Sequence, residues 1–421
     1  MSEAKSYEIS KRLVWEAYER VKRNRGAAGV DGESLAQFET DLKNNLYKIW
    51  NRMASGSYFP PPVRLVEIPK GSGGMRPLGI PTVADRVAQA VVKLVLEPGV
   101  EAIFHPDSYG YRPGKSAIQA IGVARERCWA ADWVIDLDIK GFFDSMPHDL
   151  VERAVARHTE ESWVRLYVAR WLRAPIERAD GTVAPRTKGT PQGGVISPLL
   201  ANLFLHYAFD VWMHGTYPLM LFERYADDVI VHCRSEEEAR TVLAAIRDRF
   251  VACGLELHPT KTRIVYCKDD RRRGNFEHIS FDFLSYTFRP REARGRRGKR
   301  FIGFLPAIST DAAKAIRATM RDWRWPATKT TLELHDLARF SNPIVRGWLE
   351  YYGQFYRSRC VGVLSHLNVL LVQWVRRKYK RFRYRVWAAV RWLGRRAQQE
   401  PSLFVLWQLG VRPLTERVRA G

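Results

Sequence analysis

The stretch Arg224 to Val231, RYADDVIV, constrains the chain more than any other. It sets two adjacent carboxylates between a tyrosine and a β-branched run, which reads as strand, two-residue corner, strand. Like charges so close repel, and both carboxyl pKa values rise unless a cation sits between them. A plain hairpin turn explains the same letters, so the meaning of the pair depends on what the rest of the chain brings to it.

A second segment supplies the partner. In DWVIDLDIKGFFD, alternation sends Ile135, Leu137 and Ile139 to one face of a strand, and Val134, Asp136 and Asp138 to the other. If this strand pairs with the hairpin, Asp138, Asp227 and Asp228 meet at one locus. Such hard oxygen donors suit Mg²⁺, which binds through one or two carboxylates plus substrate phosphates. Two ions roughly 4 Å apart hold both the attacking and the leaving oxygen of a displacement, and metal would keep the acidic pair charged.

The remaining elements frame these two. YEISKRLVWEAYERVKRN places Ile9, Leu13, Val14, Ala17 and Val21 on one helical face, and a second helix is expected from Leu35 to Met53. FPPPVRLVEIPKGSGGMRPLGIP gives two short strands around a Gly-rich tip that carries Lys70 and Arg76. A helix from Thr82 to Leu96 is expected to close at Pro98 and Gly99, and Ser197 is expected to cap a helix with Pro198 in its first turn. From Thr310 onward strand signals fade into helical patterns rich in Trp, Leu and Arg, which sets a domain boundary near Pro306. No fixed-period repeat argues for a solenoid.

Composition narrows the partners. A chain of 421 residues with 46% hydrophobic content is long enough for two or three domains. A formal charge of +23 points to a polyanion, nucleic acid first. VRRKYKRFRYRVW combines cations with aromatics, suiting phosphate neutralisation and base stacking, although a solvated basic helix carries the same letters. No segment has the roughly 20 uninterrupted apolar residues of a membrane span. The N-terminus MSEAKS has no apolar signal core, and Cys128, Cys233, Cys253, Cys267 and Cys360 are scattered, so buried free thiols in a reducing, bacterial cytoplasmic and nucleoid-associated setting are expected.

The ordered blocks RGAAGVDG, RPLGIPTVADRV, HPDSYGYRPGKSAIQA, DLDIKGFFDSMPHDL, GTPQGGVISPLLANLFL, YADD, GLELHPTKT and FLSYTF resemble the reverse transcriptases encoded within group II introns, also called maturases, over nearly the whole chain. The resemblance implies an α/β (α+β) right-hand polymerase. Its parts would be fingers with an N-terminal extension over 1–120, a palm with an antiparallel sheet over 121–305, and an all-helical thumb or X domain with a basic tail over 306–421. It implies RNA-directed DNA synthesis by two Mg²⁺ ions, with Mn²⁺ as substitute. The partners would be RNA template and intron RNA, a DNA primer or target and dNTPs, on a monomer or weak dimer away from membranes.

By motif, the resemblance makes Asp138, Asp227 and Asp228 metal ligands, with the Ile139 carbonyl as a further one and Asp136 as the alternative to Asp138. Phe143, five positions after Asp138, would lie under the incoming sugar, where its ring clashes with a 2′-hydroxyl; a plain core residue is the alternative. Lys70 and Arg76 would reach the triphosphate, unless they are solvated loop residues. Gln192 would lie near the incoming sugar and base, with Gly193 and Gly194 allowing close backbone approach. Lys261 would protonate departing pyrophosphate. Arg112 would lie near the templating base or nucleotide, unless it braces the fold.

GWLEYYGQF resembles the family's thumb. Many relatives continue into a DNA-binding region and a His-Asn-His endonuclease, whereas this sequence stops at Gly421, so the expectation is a compact member that uses nicked DNA, replication intermediates or other single-stranded sites. Three rivals remain at this level: a domesticated reverse transcriptase of phage defence, DNA repair or gene diversification, an RNA-binding splicing cofactor without polymerase activity, and an RNA-dependent RNA polymerase.

Overall fold

The computed structural model describes residues 6–69, 74–295 and 298–413, which form two units, Met1–Tyr266 and Cys267–Gly421. In the first unit, the helix Lys11–Arg23 begins where the Ser10 hydroxyl accepts the Leu13 N–H, and it buries Val14, Ala17, Tyr18 and Val21. That face packs on the helix Val83–Glu101. The single helix expected over Leu35–Met53 is two, Leu35–Thr40 and Leu42–Ala54, because Asp41 leaves helical geometry (φ −126°, ψ 43°) and its carboxylate accepts from Asn44 Nδ2 at 2.8 Å. Pro98 and Gly99 do not end the helix begun at Val83, since Leu96 and Val100 keep its buried face anchored on either side of them.

Strands β1 (Val63–Pro69) and β2 (Met75–Ile80) pair antiparallel around the Gly-rich tip. Lys70 lies outside the described residues. Strand β3 (Trp133–Leu137) lies in a second sheet, while the short β4 (Ile176–Glu177) and β5 (Val183–Ala184) extend the first, in the order β2-β1-β4-β5 with β1 and β4 parallel.

The second sheet carries the acidic segments. Its other strands are β6 (Leu221–Tyr225), β7 (Asp228–Cys233) and β8 (Arg263–Tyr266), in the order β6-β7-β3-β8, all antiparallel. Leu137 pairs with Val229, which brings the end of β3 beside the start of β7. Burial does not alternate along β3, because Val134, Ile135 and Leu137 are all fully buried; helices Ala117–Ala130 and Glu236–Ala252 pack on this sheet. The helix Ser197–Leu205 continues through a π-helical turn, His206–Asp210, into Val211–Thr216. Ser197 does not cap this helix as expected; its buried hydroxyl lies 2.9 Å from that of Thr190.

The second unit corrects the boundary expected near Pro306. It begins at Cys267 and includes a three-stranded antiparallel sheet of β9 (Phe281–Phe283), β10 (Tyr286–Arg294) and β11 (Arg300–Ile308), with helices following from Thr310. Ile308, at the end of β11, shares one core with Met320, Leu337, Trp374, Leu393 and Trp407, so sheet and helices are one packed body rather than an all-helical one. All five cysteines are buried free thiols. Among the described residues no helix is long and apolar enough to cross a membrane.

Candidate active site

The end of β3 and the β6–β7 corner open on one cleft of about 650 Å³, lined by Asp138, Asp227, Phe143, Gln192, Arg76 and Lys261 among others. Asp138 is fixed by its backbone. Its N–H donates to Thr262 Oγ1 at 3.2 Å, and its carbonyl accepts the His258 N–H at 2.7 Å. Lys261 Nζ stands 3.3 Å from Asp138 Oδ2, so the expected proton donor and the first acidic residue are neighbours.

The corner itself is a two-residue turn, Ala226-Asp227, closed by the Tyr225–Asp228 pair. Ala226 has φ +57°, a left-handed conformation that an alanine adopts only at some strain. Three contacts hold it there. Gly110 lies flat on the turn, where an added Cβ would stand 2.4 Å from the Ala226 nitrogen. Tyr109 N–H donates to the Arg224 carbonyl at 2.7 Å. Arg224, fully buried, grips Asp210 with Nε and Nη2 at 2.7 and 2.6 Å, while its Nη1 donates to Asn202 Oδ1 at 3.0 Å and to the Ala226 carbonyl at 3.2 Å. We expect Gly110→Ala to lower stability by about 1–3 kcal/mol through this collision, read as a lower unfolding midpoint.

Electrostatics match that packing. Burial lifts the Asp227 carboxyl above its ordinary pKa and the charge of Asp138 pushes the same way, while Arg76 and Arg224 pull it down. Burial alone would raise Asp210 too, yet Arg224 and His206 hold it below its usual value. Asp227 thus feels the like charge of Asp138 across the cleft.

Three expectations for the acidic set now separate. Asp138 and Asp227 line the cleft. Asp228 opens β7 opposite Tyr225 and is not among the residues that line this cleft. Asp136 sits within β3, opposite Ile230 and Arg263, and does not line the cleft either. Two of the expected carboxylates thus face one cleft, and among the described residues no group of three or more His, Cys, Asp or Glu side chains forms a ready cage for an ion. The donor chemistry still fits Mg²⁺, which takes one or two carboxylates and completes its shell with water and phosphate. Ile139 is also a lining residue: the bridge between Ile139 and Leu257 uses the carbonyls of Asp138 and Glu256, so the Ile139 carbonyl points away from the Leu257 segment.

The other walls come from the blocks around GFFD, PQGG and RPLG. Phe143 is half-buried and lines the cleft, its ring edge-on to Phe142, which is core at 2% exposure. The Phe143 carbonyl accepts the Thr190 N–H at 2.7 Å, and the Gln192 carbonyl accepts the Gly79 N–H at 2.7 Å, which ties this loop to β2. Gly193, at φ +116°, has no room for a Cβ, which would meet the Gly79 carbonyl at 2.5 Å. Gln89 Oε1 accepts the Val195 N–H at 2.8 Å, and its Nε2 donates to the buried Asp85 at 2.9 Å, so the loop is tied to the helix Val83–Glu101 as well.

The expectation for Arg112 needs correction. Its guanidinium binds Glu101 at 2.6 Å and the carbonyls of His105 and Ser108 at 2.7 and 2.6 Å, with only 6% of the side chain exposed, and it is not among the cleft residues. It braces the fold. Sequence reasoning also missed Tyr111, His258 and Lys140 in the cleft walls, and the Arg224–Asp210–Asn202 brace. The signal for the brace was a charge inside each of two apolar runs, but spacing alone does not say that two such charges meet.

Two carboxylates on an antiparallel sheet, an arginine from a β-ribbon and a half-buried aromatic ring meet in one cleft, an arrangement that suits metal-assisted nucleotidyl transfer. Residues 68–288 match the family described as reverse transcriptase (RNA-dependent DNA polymerase), and residues 313–393 match the group II intron, maturase-specific domain. The chain belongs to the reverse transcriptases of the group II intron type. It is 31% identical over 342 residues to the Escherichia coli protein YkfC, covering 70% of this chain and 84% of that one. It is 32% identical over 197 residues to the group II intron-encoded protein LtrA of Lactococcus lactis, covering 46% of this chain and 32% of LtrA. A putative COX1/OXI3 intron 1 protein of Saccharomyces cerevisiae is 31% identical over 197 residues, 47% of this chain and 23% of its own.

Proposed function

We propose that the chain extends a DNA primer on an RNA template by adding dNTPs, and binds intron RNA to assist its splicing and mobility. The observation that carries the reading is the pairing of Asp138 and Asp227 in one cleft with Phe143, Gln192 and Arg76. Asp138 and Asp227, with the Ile139 carbonyl and Asp228 as further donors, would hold Mg²⁺, which would supply activation of the primer 3′-hydroxyl and neutralise charge on the leaving group. Arg76 on β2, with Lys70, would bind the triphosphate; a guanidinium fork suits its oxygens. Lys261, whose Nζ lies 3.3 Å from Asp138 Oδ2, would give a proton to departing pyrophosphate. The N-terminal and palm portions supply the fingers and palm of this reading, and the second unit its thumb.

Primer extension on an RNA template with dNTPs and Mg²⁺, or with Mn²⁺ in its place, tests the proposal. Retained RNA binding without any extension would leave the chain an RNA-binding cofactor. Phe143→Val should raise ribonucleotide incorporation on the order of tenfold to a hundredfold relative to dNTPs, since pocket sterics of this size discriminate by about 1–3 kcal/mol. An unchanged ratio would make Phe143 a wall without a gating role.

A further inference from the structure

The most exposed large aromatics of the second unit are Tyr384, at 84%, and Trp387, at 66%. They stand on a turn and helix whose other side is already used. The helix Val386–Gln399 buries Ala389, Leu393 and Ala397 in the core, and Phe382 anchors the turn before it, where Arg376 Nη2 donates to the Arg383 carbonyl at 3.0 Å. The open side carries Trp387, Arg391 and Arg395 at four-residue spacing, one turn and about 6 Å of rise apart. Arg383 lies over the Tyr384 ring at 5.5 Å from its centroid.

The charge here is unbalanced. From His366 to Gln399 the chain has ten Lys and Arg residues and no Asp or Glu. Among the described residues, no ion pair engages Arg383, Arg385, Arg391 or Arg395. Single exposed aromatics are ordinary, but two rings within four residues, set among unpaired guanidinium groups, form a surface that lacks its complement. A membrane is a poor fit, because the apolar side of the helix faces the core and leaves one ring for insertion. A duplex hides its base faces; an unpaired strand offers both the phosphates and the rings this surface is built to meet.

We propose that Tyr384 and Trp387 are a stacking platform for an unpaired stretch of RNA, whose phosphates run along Arg383, Arg385, Arg391 and Arg395. RNA rather than DNA is named because the reading rests on the maturase assignment above, whose matched domain, residues 313–393, includes both rings.

The test measures equilibrium binding of the full chain to a short unstructured oligouridylate as salt is varied. Tyr384→Ala with Trp387→Ala should weaken binding on the order of tenfold or more for each ring lost, without changing the slope of log K against log salt. Arg391→Gln with Arg395→Gln should instead flatten that slope by about 0.7 for each phosphate contact removed. Trp387→Phe should keep most of the affinity. Duplex RNA binding and the unfolding midpoint should not change in the aromatic variant. Parental affinity in that variant, equal loss toward duplex, a lower midpoint, tighter binding of the matching oligodeoxyuridylate, or ring-dependent competition by an acidic peptide would each overturn the platform. Absence of primer extension in the parent chain would overturn the polymerase reading and leave the platform standing.

Discussion

Asp227→Ala should lower the primer-extension rate on the order of a thousandfold or more while leaving RNA affinity almost unchanged. Removing one of the carboxylates that would hold Mg²⁺ takes away several kcal/mol of charge stabilisation in the transition state, and each 1.36 kcal/mol is about tenfold in rate. RNA affinity comes chiefly from phosphate contacts with the cationic surface, to which Asp227 contributes nothing. The same residue gives a pH signature. Its carboxyl is raised, first by burial and then by Asp138, and the form that binds metal is the ionised one. Activity should therefore fall, as pH is lowered, through a value above the ordinary Asp range, and added Mg²⁺ should shift the fall to lower pH by competing with the proton. Asp227→Asn should abolish this titration along with the rate. A variant that loses RNA binding and rate together would mean that Asp227 holds the fold and not the chemistry.

How far the letters could be read follows the range of the forces involved. The β6–β7 hairpin, β3 and the β1–β2 ribbon were legible because β-branched runs and turn residues act over a few positions, and Asp138 and Asp227 follow from pairing two such strands. Elements decided by a contact elsewhere were not. Asp41 splits a helix through its own side-chain bond to Asn44, which competes with helical geometry and leaves no break in the apolar spacing. Pro98 is carried through a helix by the buried Leu96 and Val100 around it, a tertiary override of a local stop signal. Arg112 reads as a ligand-facing cation until Glu101 and two carbonyls saturate it. Ser197 looks like a cap and is claimed by Thr190. The boundary near Pro306 failed for a related reason: strand signals end at Ile308, but the last strand packs into the helical core that follows, so the change in pattern lies inside a unit and not between two.

Arg224→Leu should destabilise the chain by about 3–5 kcal/mol, the range for removing one partner of a buried ion pair. Both side chains are fully buried, and Leu would leave the Asp210 carboxylate without the guanidinium that offsets its burial. That loss is a large share of the roughly 5–15 kcal/mol that holds a typical domain together. Arg224 also has a second task, since its third nitrogen donates to the carbonyl of Ala226, the strained residue that presents Asp227. The two tasks separate in the double variant Arg224→Leu with Asp210→Leu. It removes both charges, so the unfolding midpoint should recover most of the single variant's loss, because an apolar pair of similar volume tolerates the site. Primer extension should not recover, because the tether on the turn is still missing and Asp227 is no longer held across from Asp138. Arg224→Lys, which keeps the charge but cannot form the fork, should fall between the parent and the leucine variant in stability. Recovery of both stability and extension in the double variant would show that strand pairing, Gly110 and the Tyr109 hydrogen bond to the residue 224 carbonyl hold the turn without the guanidinium.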